Sequence, residues 1–389
     1  MKIVCTGDWH ACNFTDFSKS LMVVWDSELL RYKDVTDNQD DFPESKEMSS
    51  RLFNILKGLC DIRDYCLKNN VEHVLLAGDL FHKRGQIEVT VYNAVYQILD
   101  SYYSVGIQVH IIAGNHDQTD SSDVPVSAIY PFRELAHTIE KPEYFKIKQD
   151  NDEVEIVALP FSKNKEFVLN SMNELREMCE EPDSAILMCH LGITGGTVGS
   201  GMYSMKDEYS LHDLMADHWK AVVVGHYHQP QFLQYNAIYT GTPVQNSFSD
   251  ELKFKEGYNG FFVIDTSKRY DIRFVPIIAP RFITVSSVEE LEQYDEDYIK
   301  SNYFRIKSTA SDAEDIKDAL EDMLGEEDSQ EVRLELEKEY ATEHRSDIGV
   351  SQSFEETVKI YAQEKCSEDK VKDYAAKGLE ILSEAMVGA

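Results

Sequence analysis

The sequence predicts an α/β fold, on three observations. Short apolar runs at 71–77, 109–113, 185–189 and 221–224 read as strands buried in a parallel-type sheet. Stretches of helical spacing alternate with them, and that alternation is the signature of an α/β core. The polar residues of interest stand just after strand ends, where open α/β sheets build their sites.

In chain order, Met1–Thr6 is a first buried strand, ending in Gly7-Asp8. Residues 11–48 form an irregular polar stretch with Asp34, Asp37, Asp40, Asp41, Pro43 and Glu44, read as an insertion or long loop. From Ser49 to Asn69, Leu52, Leu56, Leu59, Ile62 and Cys66 share one helix face, and Asn69-Asn70 is a stop. The strand 71–77 ends in Gly78-Asp79. Val89, Tyr92, Tyr96 and Leu99 make the next helical stripe, and the strand 109–113 ends in Gly114-Asn115. Strands follow at 155–159, 185–189, 221–224, 237–240 and 260–265, with a helix at 167–179.

Composition shifts near Pro276–Pro280. Beyond it, 282–286, 303–307 and 332–337 read as strands around short helices, with a strongly acidic helix at 313–324. This predicts a small α+β domain at 279–347, after a first domain at 1–278. In 348–389, Phe354, Val358 and Tyr361 make one amphipathic stripe, and Val371, Ala375, Gly378, Leu382 and Met386 another. Such terminal helices fit either core packing or docking to a partner.

The chain has 389 residues, 42% apolar and 11% aromatic, which supports large buried cores and excludes a disordered or collagen-like class. Lys plus Arg number 38 against 70 Asp plus Glu, a net charge of −32. A protein that grips nucleic acid alone usually carries a basic stripe. A phosphate-bearing substrate must here be drawn by bound cations, a local patch or a partner. The seven cysteines include no CxxC, which points to reduced thiols and a cytoplasmic setting. Cys5 and Cys189 sit in apolar runs and read as core. The chain has no apolar run long enough for a transmembrane helix, and its start is too quickly polar for a signal peptide.

Five short motifs carry metal-type ligands at strand ends. They are Gly7-Asp8-Trp9-His10, Gly78-Asp79-Leu80-Phe81-His82, Gly114-Asn115-His116-Asp117, Cys189-His190-Leu191-Gly192 and Gly225-His226-Tyr227-His228. A lone DxH or HxH is more often a surface accident or a satisfied histidine than a ligand. Five of them, each after an apolar strand, are hard to produce by chance. Imidazole with carboxylate suits Mn²⁺, Fe²⁺ or Zn²⁺ better than Ca²⁺ or Mg²⁺. A carboxylate such as Asp79 can bridge two ions about 3.5–4 Å apart, the spacing of two-metal hydrolases. With Asp8 and Asp79 as the only carboxylates, such a centre keeps net positive charge and can bind a phosphodiester in an acidic chain. No Cys joins the motifs, which disfavours structural zinc.

Other features read blandly. Lys83-Arg84 is a solvated basic pair, and Gly192–Gly201 is a flexible loop without the ending of a P-loop. Trp9 and Trp25 read as packing residues, although either can stack on a base. His73, His110, His137, His212, His218 and His344 fall in no motif.

In this order the motifs resemble the calcineurin-like metallophosphoesterases, in the form of the SbcD nuclease subunits of bacteria and phages. GDLFH at 78–82 is the discriminating piece, since phosphoprotein phosphatases typically have Asp-Arg-Gly there. Tyr239–Gln245 with Ser247-Phe248 resembles the family's late YxGSPxxxxF segment. The resemblance implies a two-sheet sandwich flanked by helices, a small α+β capping domain and C-terminal helices. It implies one metal on Asp8, His10, Asp79 and His228, and a second on Asp79, Asn115, His190 and His226, most simply two Mn²⁺. His116 acts on the scissile phosphate, as charge stabiliser or general acid, and His82 assists.

The implied activity is 3′–5′ exonuclease on duplex DNA and endonuclease on single strands or hairpins, in DNA repair, recombination or replication. The implied partners are DNA, an SMC-like coiled-coil ATPase bound by 348–389, and a second copy of the chain. The implied setting is a bacterial or phage-infected cytoplasm. The competing readings are a small-molecule or nucleotide phosphodiesterase or phosphatase on the same metal centre, and a non-enzymatic scaffold. An intact ligand set argues against the scaffold.

Overall fold

The structure is a computed structural model that describes residues 1–119, 126–197, 209–250, 258–268, 270–308, 313–325 and 332–336, with Lys370, Tyr374 and Lys377. It divides into two compact units, one of 1–308 and 312–335, the other of 309–311 and 336–389. The helices expected in 348–389, Cys366 and residues 198–201 of the glycine-rich loop lie outside the described residues, apart from those three isolated positions.

In chain order the elements of the first half are β1 (Lys2–Thr6), β2 (Ser20–Asp26), β3 (Arg31–Asp34), β4 (Lys46–Ser49), α1 (Ser50–Asn69), β5 (His73–Leu76), α2 (Val89–Ser104), β6 (Gln108–Ile112), β7 (His137–Ile139), β8 (Glu143–Gln149), β9 (Asp152–Leu159) and α3 (Lys165–Glu177). There follow β10 (Ile186–His190), β11 (Ala221–Gly225), β12 (Gln231–Gln234), β13 (Ala237–Tyr239), β14 (Gly260–Asp265), β15 (Asp271–Pro276), β16 (Phe282–Val285), α4 (Val288–Leu291), α5 (Glu296–Lys300), β17 (Tyr303–Ser308), α6 (Ala313–Leu324) and β18 (Arg333–Leu336).

Two six-stranded sheets form the body, in the orders β15-β14-β1-β5-β6-β7 and β12-β13-β11-β10-β9-β8. Their inner strands run parallel, β1 with β5, β5 with β6, β9 with β10 and β10 with β11. The alternation of side chains along a strand sorts these apolar runs into three cores. Ile3, Cys5, Leu75 and Ala77 of one sheet meet Ile186, Met188, Ala221 and Val223 of the other between the sheets. Val4, Val74, Leu76 and Ile111 point outward and pack under α1 and α2 with Leu52, Leu56, Leu59 and Ile98. Leu187, Cys189, Val222 and Val224 point outward on the other side, under Val168 and Met172 of α3. A run apolar at every position is what burial on both faces requires. The fold is therefore the α/β two-sheet sandwich flanked by helices.

Helix α1 begins at the Ser49 cap, whose side chain accepts from the amide of Leu52, and ends at Asn70 in the left-handed region (φ 53). The stretch 11–48 is not irregular. It holds the antiparallel sheet β3-β2-β4. Leu21, Val23 and Trp25 alternate along β2 and face the first core with Tyr32 and Met48. The polar residues between them hid that period of two. The hairpin β8-β9 also went unread, since only 155–159 carries an apolar run.

Beyond Pro280, β16, β17 and β18 form a three-stranded sheet, and Ile283, Val285, Phe304, Ile306, Ile316 and Leu320 make its own core with α6. Gln245 accepts from the amide of Phe282 (2.6 Å), and Asn54 donates to the Tyr303 hydroxyl (3.1 Å), tying this sheet to the body. Six cysteines are buried and free, and burial pushes the thiols of Cys5 and Cys189 far up. Among the described residues no helix is long and apolar enough to cross a membrane.

Candidate metal centre

The C-terminal ends of β1, β5 and β6 in one sheet meet those of β10 and β11 in the other. Asp8 and His10 follow β1, Asp79 and His82 follow β5, and Asn115 and His116 follow β6. His190 ends β10, and His226 and His228 follow β11. Close backbone approach builds the junction. The amide of Asp8 donates to Gly78 O (2.9 Å) and that of His10 to Asp79 O (3.0 Å). A Cβ at Gly225 would lie 1.9 Å from Ala77 O, and one at Gly78 2.4 Å from His190 Nδ1. Only glycine fits those two positions. Asp8, His10 and Asp79 themselves sit in the left-handed region, with φ of 49, 47 and 53. Strain of this kind collects at functional sites.

The side chains interlock across the sheets. His226 donates its amide to both Asp8 oxygens (2.9 and 3.1 Å). Asn115 Oδ1 lies 2.9 Å from His190 Nε2 and 3.0 Å from His226 Nδ1. Asp79 Oδ2 lies 3.4 Å from His190 Nε2 and 3.6 Å from His10 Nε2, while Oδ1 accepts from the His116 amide (2.7 Å). His190 Nδ1 donates to Ala77 O (2.7 Å), which leaves Nε2 as its ligand atom. The His10 ring lies 4.6 Å from that of His228 and 4.9 Å from that of His116. The structure thus gathers every one of the predicted site residues into one cluster.

The donor set fits divalent cations. Ligand atoms of Asp8, His10 and His228 converge, as do those of Asp8, Asp79 and His190. His10 is 1% exposed, yet neither ring nitrogen has a hydrogen-bond partner among the described residues. A buried imidazole left so is unfavourable unless a ligand takes it up. Burial pushes the Asp8 carboxyl up, as does the charge of Asp79. Burial also works to raise Asp79, but His190 and His10 hold it well below the carboxylate range. Burial opposes charge on His190 and His228, but Asp79 and Asp250 respectively raise them to about 9. Burial, reinforced by His190, drives His226 down to about 3. Within the cluster the histidines offset part of the charge of two buried carboxylates.

His116 donates Nδ1 to the carbonyl of His82 (2.6 Å), so Nε2 is its free nitrogen. The two rings stack at 5.7 Å, and His82 stands against Phe14 (5.0 Å). His10, His82 and His116 form a third convergent group.

Two supporting residues were missed. Asp250 takes His228 Nδ1 at 2.8 Å but stands 22 residues away, with no local signal. Asp117 accepts from the amides of Gly114 (3.0 Å) and Phe81 (3.2 Å), fixing the loop that carries Asn115. It sat inside a motif, and its acidic type was the only cue. Trp9 is fully buried and donates to Thr6, so it packs. Lys83 pairs with Glu88.

A two-sheet α/β sandwich with paired Asp/His ligands at its strand ends defines a metal-dependent hydrolase of phosphoesters. The chain belongs to the calcineurin-like phosphoesterase family, which matches residues 1–230. Among solved structures it is similar to the phosphoesterase Yfce of E. coli, at 11% identity over 68% of this chain and 88% of that one, TM-score 0.29. It is similar to a dimetal phosphatase of Danio rerio, at 9% identity over 67% and 91%, TM-score 0.37. The NAD nucleotidase of Haemophilus influenzae matches at 13% identity over 61% and 44%, TM-score 0.31.

Proposed function

We propose that the chain is a DNA nuclease of the SbcD type, the hydrolytic subunit of a complex with an SMC-like ATPase. Its activities on this reading are 3′–5′ exonuclease on duplexes and endonuclease on single strands and hairpins. The observation that carries the reading is the stacked pair His82–His116 beside the Asp/His cluster. It arises from GDLFH, where a phosphoprotein phosphatase typically has Asp-Arg-Gly. The separate small sheet beyond Pro280 supports it as a capping element.

Two divalent cations, most simply Mn²⁺, would supply Lewis acidity and a water made nucleophilic at neutral pH. Asp8, His10, Asp79 and His228 would hold one, and Asp79, Asn115, His190 and His226 the other. Asp79 would be common to both sets, and its Oδ2 lies 3.6 Å from His10 Nε2 and 3.4 Å from His190 Nε2. His116 Nε2 faces the reacting phosphate, with its ring fixed through Nδ1. In that position it stabilises phosphoryl oxygens or protonates the departing sugar oxygen. On this reading 348–389 docks the ATPase and the chain pairs with a second copy.

The test is Mn²⁺-dependent cleavage of end-labelled linear duplex and hairpin DNA, beside bis(p-nitrophenyl) phosphate, with His116→Ala as control. DNA cleavage that needs Mn²⁺ and disappears in the variant supports the nuclease. Turnover of the diester with DNA left intact, also in the presence of an ATPase partner and ATP, assigns a small-molecule phosphodiesterase instead.

A further inference from the structure

An open cavity of about 720 Å³ lies between the 11–48 insertion, the start of α1 and the small sheet with its short helix. Its walls include Phe17, Lys19, Asn54, Lys300, Tyr303 and Arg333. Three of these are cationic, and Asp16 is the one carboxylate on the wall among the described residues. Lys300 also pairs with Glu296 of its own helix. In a chain of net charge −32 this lining is a local reversal of sign. It selects an anionic ligand.

The wall is also aromatic and built. Phe17 sits at φ 52, a strained conformation for a bulky residue, and packs on Phe248 (5.0 Å). The Arg333 guanidinium lies 5.1 Å from the Phe17 ring, and Tyr303 stacks on Phe282 (4.6 Å). A small recess of about 10 Å³ shares Asn54, Pro280 and Tyr303 with the cavity. Into it face Gln245 and Asn246. Asn246 is 5% exposed, and neither its Oδ1 nor its Nδ2 has a partner among the described residues. The recess has room for one water. A buried amide left unpaired calls for that water and, through it, a polar ligand in the cavity.

Two chains of side-chain contacts link the cavity wall to the catalytic cluster. Phe14 lies against His82 (5.0 Å) and under Arg51 (3.9 Å), and Arg51 donates to Asp16 O (2.7 Å). Phe17 leads through Phe248 to the segment of Asp250, which holds His228.

We infer that this cavity holds the nucleotides of a DNA strand that extend beyond the scissile phosphate. Their phosphates meet Lys19, Lys300 and Arg333, and a base lies on the aromatic wall. A cationic groove with aromatic platforms is how single strands are commonly held. The inference rests on the nuclease reading, and it makes the insertion a substrate-binding element.

The test is the double variant Lys19→Glu/Arg333→Glu, at two exposed positions. Cleavage of a single-stranded 20-mer with Mn²⁺ is expected to show KM raised about tenfold, narrowing as salt rises. Its kcat and its turnover of bis(p-nitrophenyl) phosphate stay at wild-type values. An unchanged KM for the 20-mer overturns the cavity assignment and leaves the nuclease reading standing. A wild-type protein that turns over the diester but no DNA overturns both. Should the double variant lose both activities, Lys19→Gln/Arg333→Gln decides by the same KM.

Discussion

Asp250 accepts the Nδ1 hydrogen bond of His228 at 2.8 Å, which leaves Nε2 as the remaining ligand atom of that histidine. Asp250 is 2% exposed and also takes the amide of Asn246 (2.9 Å), so it is rigidly held. A carboxylate behind a ligating histidine fixes the ring and raises its basicity. Asp250→Asn keeps the shape and removes the charge. We expect the Mn²⁺ concentration for half-maximal diester turnover to rise about 10–100-fold. An unchanged requirement shows that His228 is not a ligand.

Cation removal should show in stability as well as turnover. Asp8 and Asp79 are buried carboxylates side by side, and His10 is a buried imidazole with no hydrogen bond among the described residues. A cation that binds the folded state stabilises it by about 2.7 kcal/mol at a hundred times its Kd. For a domain of this size that is an upward shift of roughly 5 °C in Tm on going from EDTA to saturating Mn²⁺. The shift should vanish in Asp8→Asn/Asp79→Asn. Equal melting with EDTA and Mn²⁺ removes the cluster as a metal site.

Gly225 allows β11 to pass the carbonyl of Ala77, which is itself the acceptor for His190 Nδ1. A methyl at Gly225 meets that backbone oxygen at 1.9 Å and His190 Nδ1 at 2.9 Å. Overpacking of this kind typically destabilises by 1–3 kcal/mol, and a backbone clash by about 3 kcal/mol or more. Gly225→Ala should lower Tm by roughly 6 °C or more and lose diester turnover with it. Wild-type melting would show that the sheet ends separate freely.

The legible parts of this protein were those where one residue type repeats with a period. The double-faced runs at 185–189 and 221–224 announced buried parallel strands, and the residues after them announced the site. The α1 stop was legible because Asn70 tolerates positive φ. The sheet in 11–48 was not, because its core face is only Leu21, Val23 and Trp25 among polar neighbours. Asp250 was not, because its meaning comes from a fold-back of 22 residues. Nor does sequence state that Asp8, His10 and Asp79 adopt positive φ, which long-range hydrogen bonds between the strand ends impose.

The histidines outside the motifs give the last prediction. His73, His110 and His137 stand side by side on β5, β6 and β7. His73 Nε2 lies 3.0 Å from Lys148 O and must donate, so its Nδ1 accepts from His110 Nε2 (3.1 Å). His110 Nδ1 then accepts from His137 Nδ1 (3.2 Å). Three neutral rings satisfy those contacts, and His137 Nε2 lies 3.0 Å from the Glu143 carboxylate. Phe145 stacks on His110 (5.1 Å) and packs edge-on against His137 (4.6 Å), and Glu72 is the charge near His73. Burial, with His73 and His137 beside it, holds His110 down to about 3, and burial lowers His73. The unfolded chain takes up these protons near pH 6.5. Stability from the buried neutral rings is therefore full above about pH 6.5 and is lost as pH falls toward 3. For His110 alone the loss between pH 7.5 and 5 is on the order of 2 kcal/mol. Urea unfolding in EDTA at those two pH values should show it, and His110→Gln should flatten the dependence by about that amount. Equal pH dependence in the variant and the wild type would place the titrating groups elsewhere.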